Sequence, residues 1–289
     1  MKGQGAVVHV VERHEHGRSD IARLVGESEE AVGLMMPEVL SHPENTIDFT
    51  AGLAQVWTSY CLADDPQAEL SDTRRAARLA AQLSADLFVL AGTGAGTRVR
   101  IDIGDDKADA TGTGPVPIAN LTNWLAAYWW SQISRSEDSR AALERFTLDD
   151  LTKDGRFDPY WCRMFEALRG FDSDSETWPG AISAAMESID GPTVSTREES
   201  MFLALDLFGL LAAIGDQDEF TQQLRKALES HKTYWTATRE RRADPRGFAS
   251  FAILALAAKA ADAGMAIEVE SDYLPRGLLE RPRWMFELT

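Results

Sequence analysis

Cysteine is nearly missing from this chain. There are two among 289 residues, Cys61 and Cys162, set far apart. They form no metal-type spacing and ask for no disulfide, so both are expected to be reduced, small core residues. Long apolar runs are missing as well. Met201 to Ile214, interrupted by Asp206, and Phe248 to Ala258 both fall short of the ~20 residues a membrane span needs. Ala6 to Val11 is too short for the apolar stretch of a secretion signal and has no cleavage motif. The expectation is a cytoplasmic protein without a membrane partner. Catalytic signatures are equally scarce: no serine sits in a Gly-x-Ser-x-Gly turn, and neither cysteine has an identifiable histidine partner. We therefore expect no enzyme, no cofactor and no metal.

Positive charge is in deficit. Against 46 acids stand 29 bases, a net charge of −17. The excess is spread evenly, with 18 acids and 10 bases before Pro115 and 28 and 19 from there on. Such a field repels nucleic acid and anionic lipid and speeds encounter with a basic partner. Acidity also serves solubility, which is the blander reading.

What the chain does have is helical periodicity and a 44% hydrophobic share. Helical stretches are predicted near 19–36, 46–63 and 69–91, the last with Ala76, Leu79, Ala80, Leu83, Leu87 and Leu90 on one face. The turn Gly92 to Gly96 follows, then Arg98 to Ile103 alternates charged and branched residues as a half-buried strand does. Ala6 to Val11 is a second candidate strand for pairing with it, and Asp105 to Gly114 reads as a polar loop. From Pro117 onward helix follows helix. Asp158-Pro159 reads as an N-cap with proline at the first helical position, and Ser195-Thr196-Arg197-Glu198 as a capping box. Glycines at 170, 191, 215 and 264 read as stops. The predicted fold is mostly α, with antiparallel helical hairpins in repeat-like layers and a small β-hairpin or strand pair in the N-terminal part. Residues 1–115 read as an N-terminal helical region packed on a helical-hairpin domain, 116–289.

Several constellations invite a chemical reading. Leu87 to Gly96 resembles a strand feeding a dinucleotide-binding glycine loop, but that loop needs a helix after it, and here a strand follows. His9, His14 and His16, with Glu12 close by, suggest metal ligands; a solvated loop is the simpler reading, because zinc sites draw on more than one element. Asp102, Asp105, Asp106 and Asp109 crowd one segment without calcium-loop spacing. They read either as an exposed acidic hairpin end or as a docking surface for basic residues. Trp129 and Trp130 diverge by ~100° around the helix that also carries Trp124, which places at least one near a surface or a second interface.

Four stretches carry a family resemblance. They are Asn123 to Ala127, Ala227 to Trp235, Asp244 to Phe248 and Ser271-Asp272-Tyr273-Leu274-Pro275, the last directly after an alanine-rich helix. From Ile118 onward the chain resembles the immunity protein 49 family of bacterial polymorphic-toxin systems. The resemblance implies an all-helical protein that neutralises a cognate toxin by stoichiometric binding, without catalytic residues. The toxin-contact candidates are Asp102, Asp105, Asp106 and Asp109, then Trp235 with Tyr273. The alternatives are a helical scaffold or regulator with an unrelated partner, and a metal-dependent enzyme built on the N-terminal histidines. Within the last motif, Asp272 is expected to cap a short helix at Arg276–Glu280.

Overall fold

The computed structural model describes residues 8–173, 178–189 and 198–280. In chain order a two-residue strand β1 (His9–Val10) precedes α1 (Ile21–Ser41), α2 (Pro43–Asp64) and α3 (Ser71–Ala91). The strands β2 (Arg98–Ile103) and β3 (Asp106–Thr111) lead into α4 (Leu121–Ser134), α5 (Glu137–Glu144), α6 (Leu148–Thr152) and α7 (Pro159–Asp172). Then come α8 (Trp178–Ile189), α9 (Glu198–Ala213), α10 (Gln217–Thr236), α11 (Arg239–Arg242), a 3-10 turn Pro245–Gly247 and α12 (Phe251–Asp262). A strand β4 (Val269–Glu270) and α13 (Arg276–Leu279) complete the described part. The fold is mostly α with small strand pairs.

Only His42 separates α1 from α2, so the chain reverses and the two pack as a hairpin; α2 packs on α3, α7 on α8 and α9 on α10 in the same way. The first helix runs through Pro37 to Ser41 rather than stopping at 36. Proline costs a helix one hydrogen bond, but Val39 beyond it is fully buried, and that burial secures the last turn.

The strands pair differently from expectation. Residues 106–111, expected as loop, form β3, antiparallel to β2 from Ile103↔Asp106 to Arg98↔Thr111. Gly104, at φ +62°, supplies the left-handed position of the two-residue turn. The strand escapes a hydrophobic reading because its inward residues are only alanines, of which Ala110 is buried. With β2 thus occupied, β1 pairs in parallel with β4, His9↔Val269 and Val10↔Glu270.

Glycine 170 does not end α7, which continues to Asp172. A Cβ at that position would lie 2.9 Å from the Trp178 Cβ, so Gly170 permits the close approach of α8. Gly215 and Gly264 do follow helix ends, at φ +113° and +89°. Pro159 opens α7 as expected, but Asp158 makes no capping bond there and instead accepts the Tyr160 hydroxyl at 3.2 Å. The stop at Gly191 and the capping box at Ser195 lie outside the described residues.

Helix α4 is the hub. It packs against α3, α5, α7 and α12, and Trp124, Trp129 and Trp130 are all buried. Of the two expectations, a surface or a second interface, the second holds, because neighbours surround the helix and divergent directions all lead into core. At its end Arg135, at φ +53°, donates to the carbonyls of Leu278 and Leu279 and pairs with Asp262. One apolar cluster extends from Val11 to Leu279.

Candidate functional site

Three of the four motif stretches meet in space. The apolar stripe of α10 turns His231 and Trp235 inward, both almost fully buried. The His231 ring stands edge-on to Tyr273, with centroids 4.8 Å apart. Its Nε2–H donates to the Gly247 carbonyl at 3.1 Å, which leaves Nδ1 as an acceptor. Burial, set against that carbonyl bond, brings the imidazole pKa down to about 4, so His231 is neutral at pH 7. Gly247 is there for a steric reason: a Cβ would sit 2.7 Å from the Trp235 ring.

The N-terminal segment closes this cluster. The Tyr273 hydroxyl accepts the backbone N–H of His14 at 3.1 Å and lies 2.7 Å from His14 Nδ1. His14 Nε2 faces the Arg242 carbonyl at 3.2 Å, which makes Nε2 the protonated nitrogen and Nδ1 the acceptor of the tyrosine proton. Burial lowers the His14 pKa and raises that of Tyr273 to about 12. His16 accepts the Arg18 N–H through Nδ1, and its ring lies tilted against Phe248 with centroids 5.1 Å apart. His14 is thus a buried hydrogen-bonding residue rather than part of a solvated loop. Among the described residues no group of three or more His, Cys, Asp or Glu is placed to hold a metal ion. The Ser271–Pro275 motif also ties down distant segments: Ser271 Oγ donates to the Val11 carbonyl at 2.6 Å. Asp272 accepts from Gln67 Nε2 at 2.8 Å instead of capping α13, whose N-cap is Pro275.

Beside this cluster runs a groove of about 570 Å³ between α2 and residues 246–252. Phe49, Leu53 and Val56 form one wall; Ala249, Phe251 and Ala252 face them, with His231 and Trp235 on the inner side. Phe49 stands at the rim, 58% exposed. Two polar atoms of these inner residues, His231 Nδ1 and Trp235 Nε1, are buried without a hydrogen-bond partner among the described residues, a cost of ~1–3 kcal/mol each. Periodicity alone shows both residues as core; the pairing of an orphan acceptor with an orphan donor has no sequence signal.

The aspartates lie on the other strand pair. Asp102 pairs with Lys107 at 3.2 Å, and Asp109 with Arg98 at 3.2 Å and Arg100 at 3.9 Å. Asp105 in the turn pairs with the buried guanidinium of Arg78 on α3. Asp106, exposed like the others, has no ion pair among the described residues. Beneath the hairpin Asp86 is buried, and its pKa is raised well above the usual carboxylate range by desolvation and then by Asp102. So the structure keeps the four aspartates together on one exposed hairpin, interleaved with bases, while Trp235 and Tyr273 lie apart from them in the interior. Those two rings support a surface rather than form one.

No helix among the described residues is long and apolar enough to cross a membrane. Among the described residues, thirteen α-helices, an apolar groove and a charged hairpin define a helical protein whose notable features are surfaces. The family model described as Immunity protein 49 matches residues 65–278, well over half of the chain, and the chain belongs to that family. The match begins earlier than Ile118 and takes in α3 and the hairpin. No curated protein and no solved structure matches the chain.

Proposed function

We propose that this protein neutralises a cognate bacterial toxin by stoichiometric binding that occludes the toxin's active site. Family membership over residues 65–278 is the observation that carries the reading. The net charge of −17 supports a basic partner, since complementary potential raises the association rate and fixes orientation. The hairpin carrying Asp102, Asp105, Asp106 and Asp109 is the first contact candidate. Its interleaved bases make it a patterned surface suited to register as well as steering. Trp235 and Tyr273 contribute from behind, by holding the 246–252 segment in place. A standard interface of ~1,600 Å² suffices for tight inhibition when it buries a few anchors.

The test is an affinity pull-down at low and high salt from cells in which toxin expression is confirmed, followed by co-expression of any recovered polypeptide with this chain. Recovery of one polypeptide at near-equal stoichiometry, toxic alone and harmless with this chain, is the expected result. A blank under those conditions makes the scaffold reading the better one.

A further inference from the structure

The groove between α2 and residues 246–252 has features that toxin binding does not require. Its volume of about 570 Å³ lies within the ~300–1,000 Å³ typical of small-molecule sites. Its walls are mostly apolar, with Gln55, Ser59 and Ser250 also lining it. Two of its lining residues hold one acceptor and one donor unsatisfied among the described residues, His231 Nδ1 and Trp235 Nε1–H. Such a wall is complementary to a head that both donates and accepts. It carries no net charge of its own. Arg246 at the edge is matched by Asp244, with Nη2 to Oδ2 at 2.6 Å, and His231 is held neutral by its surroundings. A carboxylate head would satisfy the indole but leave the imidazole acceptor facing a second acceptor, and it would also lose its hydration. An ammonium head would leave the indole N–H unsatisfied.

We infer that this groove is a binding site for a small, neutral, largely apolar molecule whose head both donates and accepts a hydrogen bond, a carboxamide being the simplest. The apolar body lies against Phe49, Leu53, Val56 and Phe251, and the head sits at the His231–Trp235 side. Both orphan atoms are shut off from solvent, so binding of the head requires the two rings to turn toward the groove. That movement makes the Trp235 indole a direct reporter.

The probe is 3-phenylpropanamide, titrated into the ¹⁵N-labelled full chain while the indole N–H resonances are followed. The Trp235 signal is assigned by its loss in Trp235→Phe. A saturable shift of that signal is expected, with 3-phenylpropanoate, the acid of the same shape, binding at least about tenfold more weakly. Gly52 lines the groove on α2, and a Cβ there meets nothing within 4 Å. Gly52→Phe therefore fills the groove without disturbing the core, and it replaces a poor helix former by a better one. This variant is expected to melt no lower than the parent and to lose the shift. A shift that stays absent or unsaturated to the solubility limit of the amide overturns the site. So does an equal shift in folded Gly52→Phe. Equal affinity for amide and acid overturns the assignment of the head.

Discussion

The hydroxyl of Tyr273 serves two atoms of His14, a residue 259 positions away, accepting its backbone N–H and donating to its Nδ1. One side chain therefore fastens the N-terminal segment to the C-terminal motif. Tyr273→Phe keeps the ring against His231 but strands a backbone donor and an imidazole acceptor in the interior. A loss of ~1–3 kcal/mol is expected, measured by urea unfolding at pH 7; a variant as stable as the parent would show that these bonds contribute nothing.

Acid sensitivity follows from the same cluster. His231 has a folded pKa of about 4, below the ~6.5 of an unfolded histidine. Between those values the unfolded chain binds a proton that the folded chain refuses, so stability is full above the unfolded pKa and falls as pH drops toward 4. The loss is on the order of 3 kcal/mol from this residue, and the lowered pKa of His14 acts in the same direction. His231→Leu is expected to flatten the decline of urea stability between pH 7 and pH 4.5. Parallel slopes for parent and variant would remove His231 as the source.

Gly277 meets the loop before α3 so closely that a Cβ would lie 2.4 Å from the Ala68 carbonyl oxygen, and its N–H donates to Gln67 at 2.8 Å. Backbone cannot yield as a flexible side-chain tip can. Gly277→Ala is expected to destabilise by ~1–3 kcal/mol through overpacking, seen as a lower melting temperature. An unchanged melting temperature would mean that α13 shifts freely.

On the hairpin, the aspartates differ in what their removal disturbs. Asp105 pairs with the buried Arg78, so its removal disturbs a buried charge as well as the surface. Asp102, Asp106 and Asp109 are exposed, so the triple change to asparagine removes their charge without setting like charges opposite Lys107, Arg98 and Arg100. Toxin affinity is expected to fall by tenfold or more, about 1.4 kcal/mol, and its dependence on salt to flatten. Unchanged affinity at low salt would take the hairpin out of the interface.

Much of the helical scaffold is legible in the sequence because its signals are local. The α3 stripe from Ala76 to Leu90, the Pro159 helix start and the Gly215 and Gly264 stops each depend on neighbours within a few residues. What escapes is set by distant ones. A two-residue parallel pair, His9↔Val269, leaves no periodicity to detect. Gly170 looks like a stop until Trp178 is seen against it. The motif stretches were legible as separate words, but the groove they border was not, since its other wall is the outward face of α2. Likewise the aspartates stood out by composition, while the arginines and lysine that answer them across the hairpin depend on a register that alternation in β2 alone leaves open.

The N-terminal clasp has a consequence for synthesis. Strand β1 and His14 leave the ribosome early, but Val269, Glu270 and Tyr273, which hold them, are made some 259 residues later. Helices α1 to α3 can pack as they emerge, because their partners are adjacent in the chain. The clasp cannot. The last step of folding therefore awaits translation of residues 269–275, and a chain truncated just before Val269 would carry nearly every helix yet leave its first strand with nothing to join.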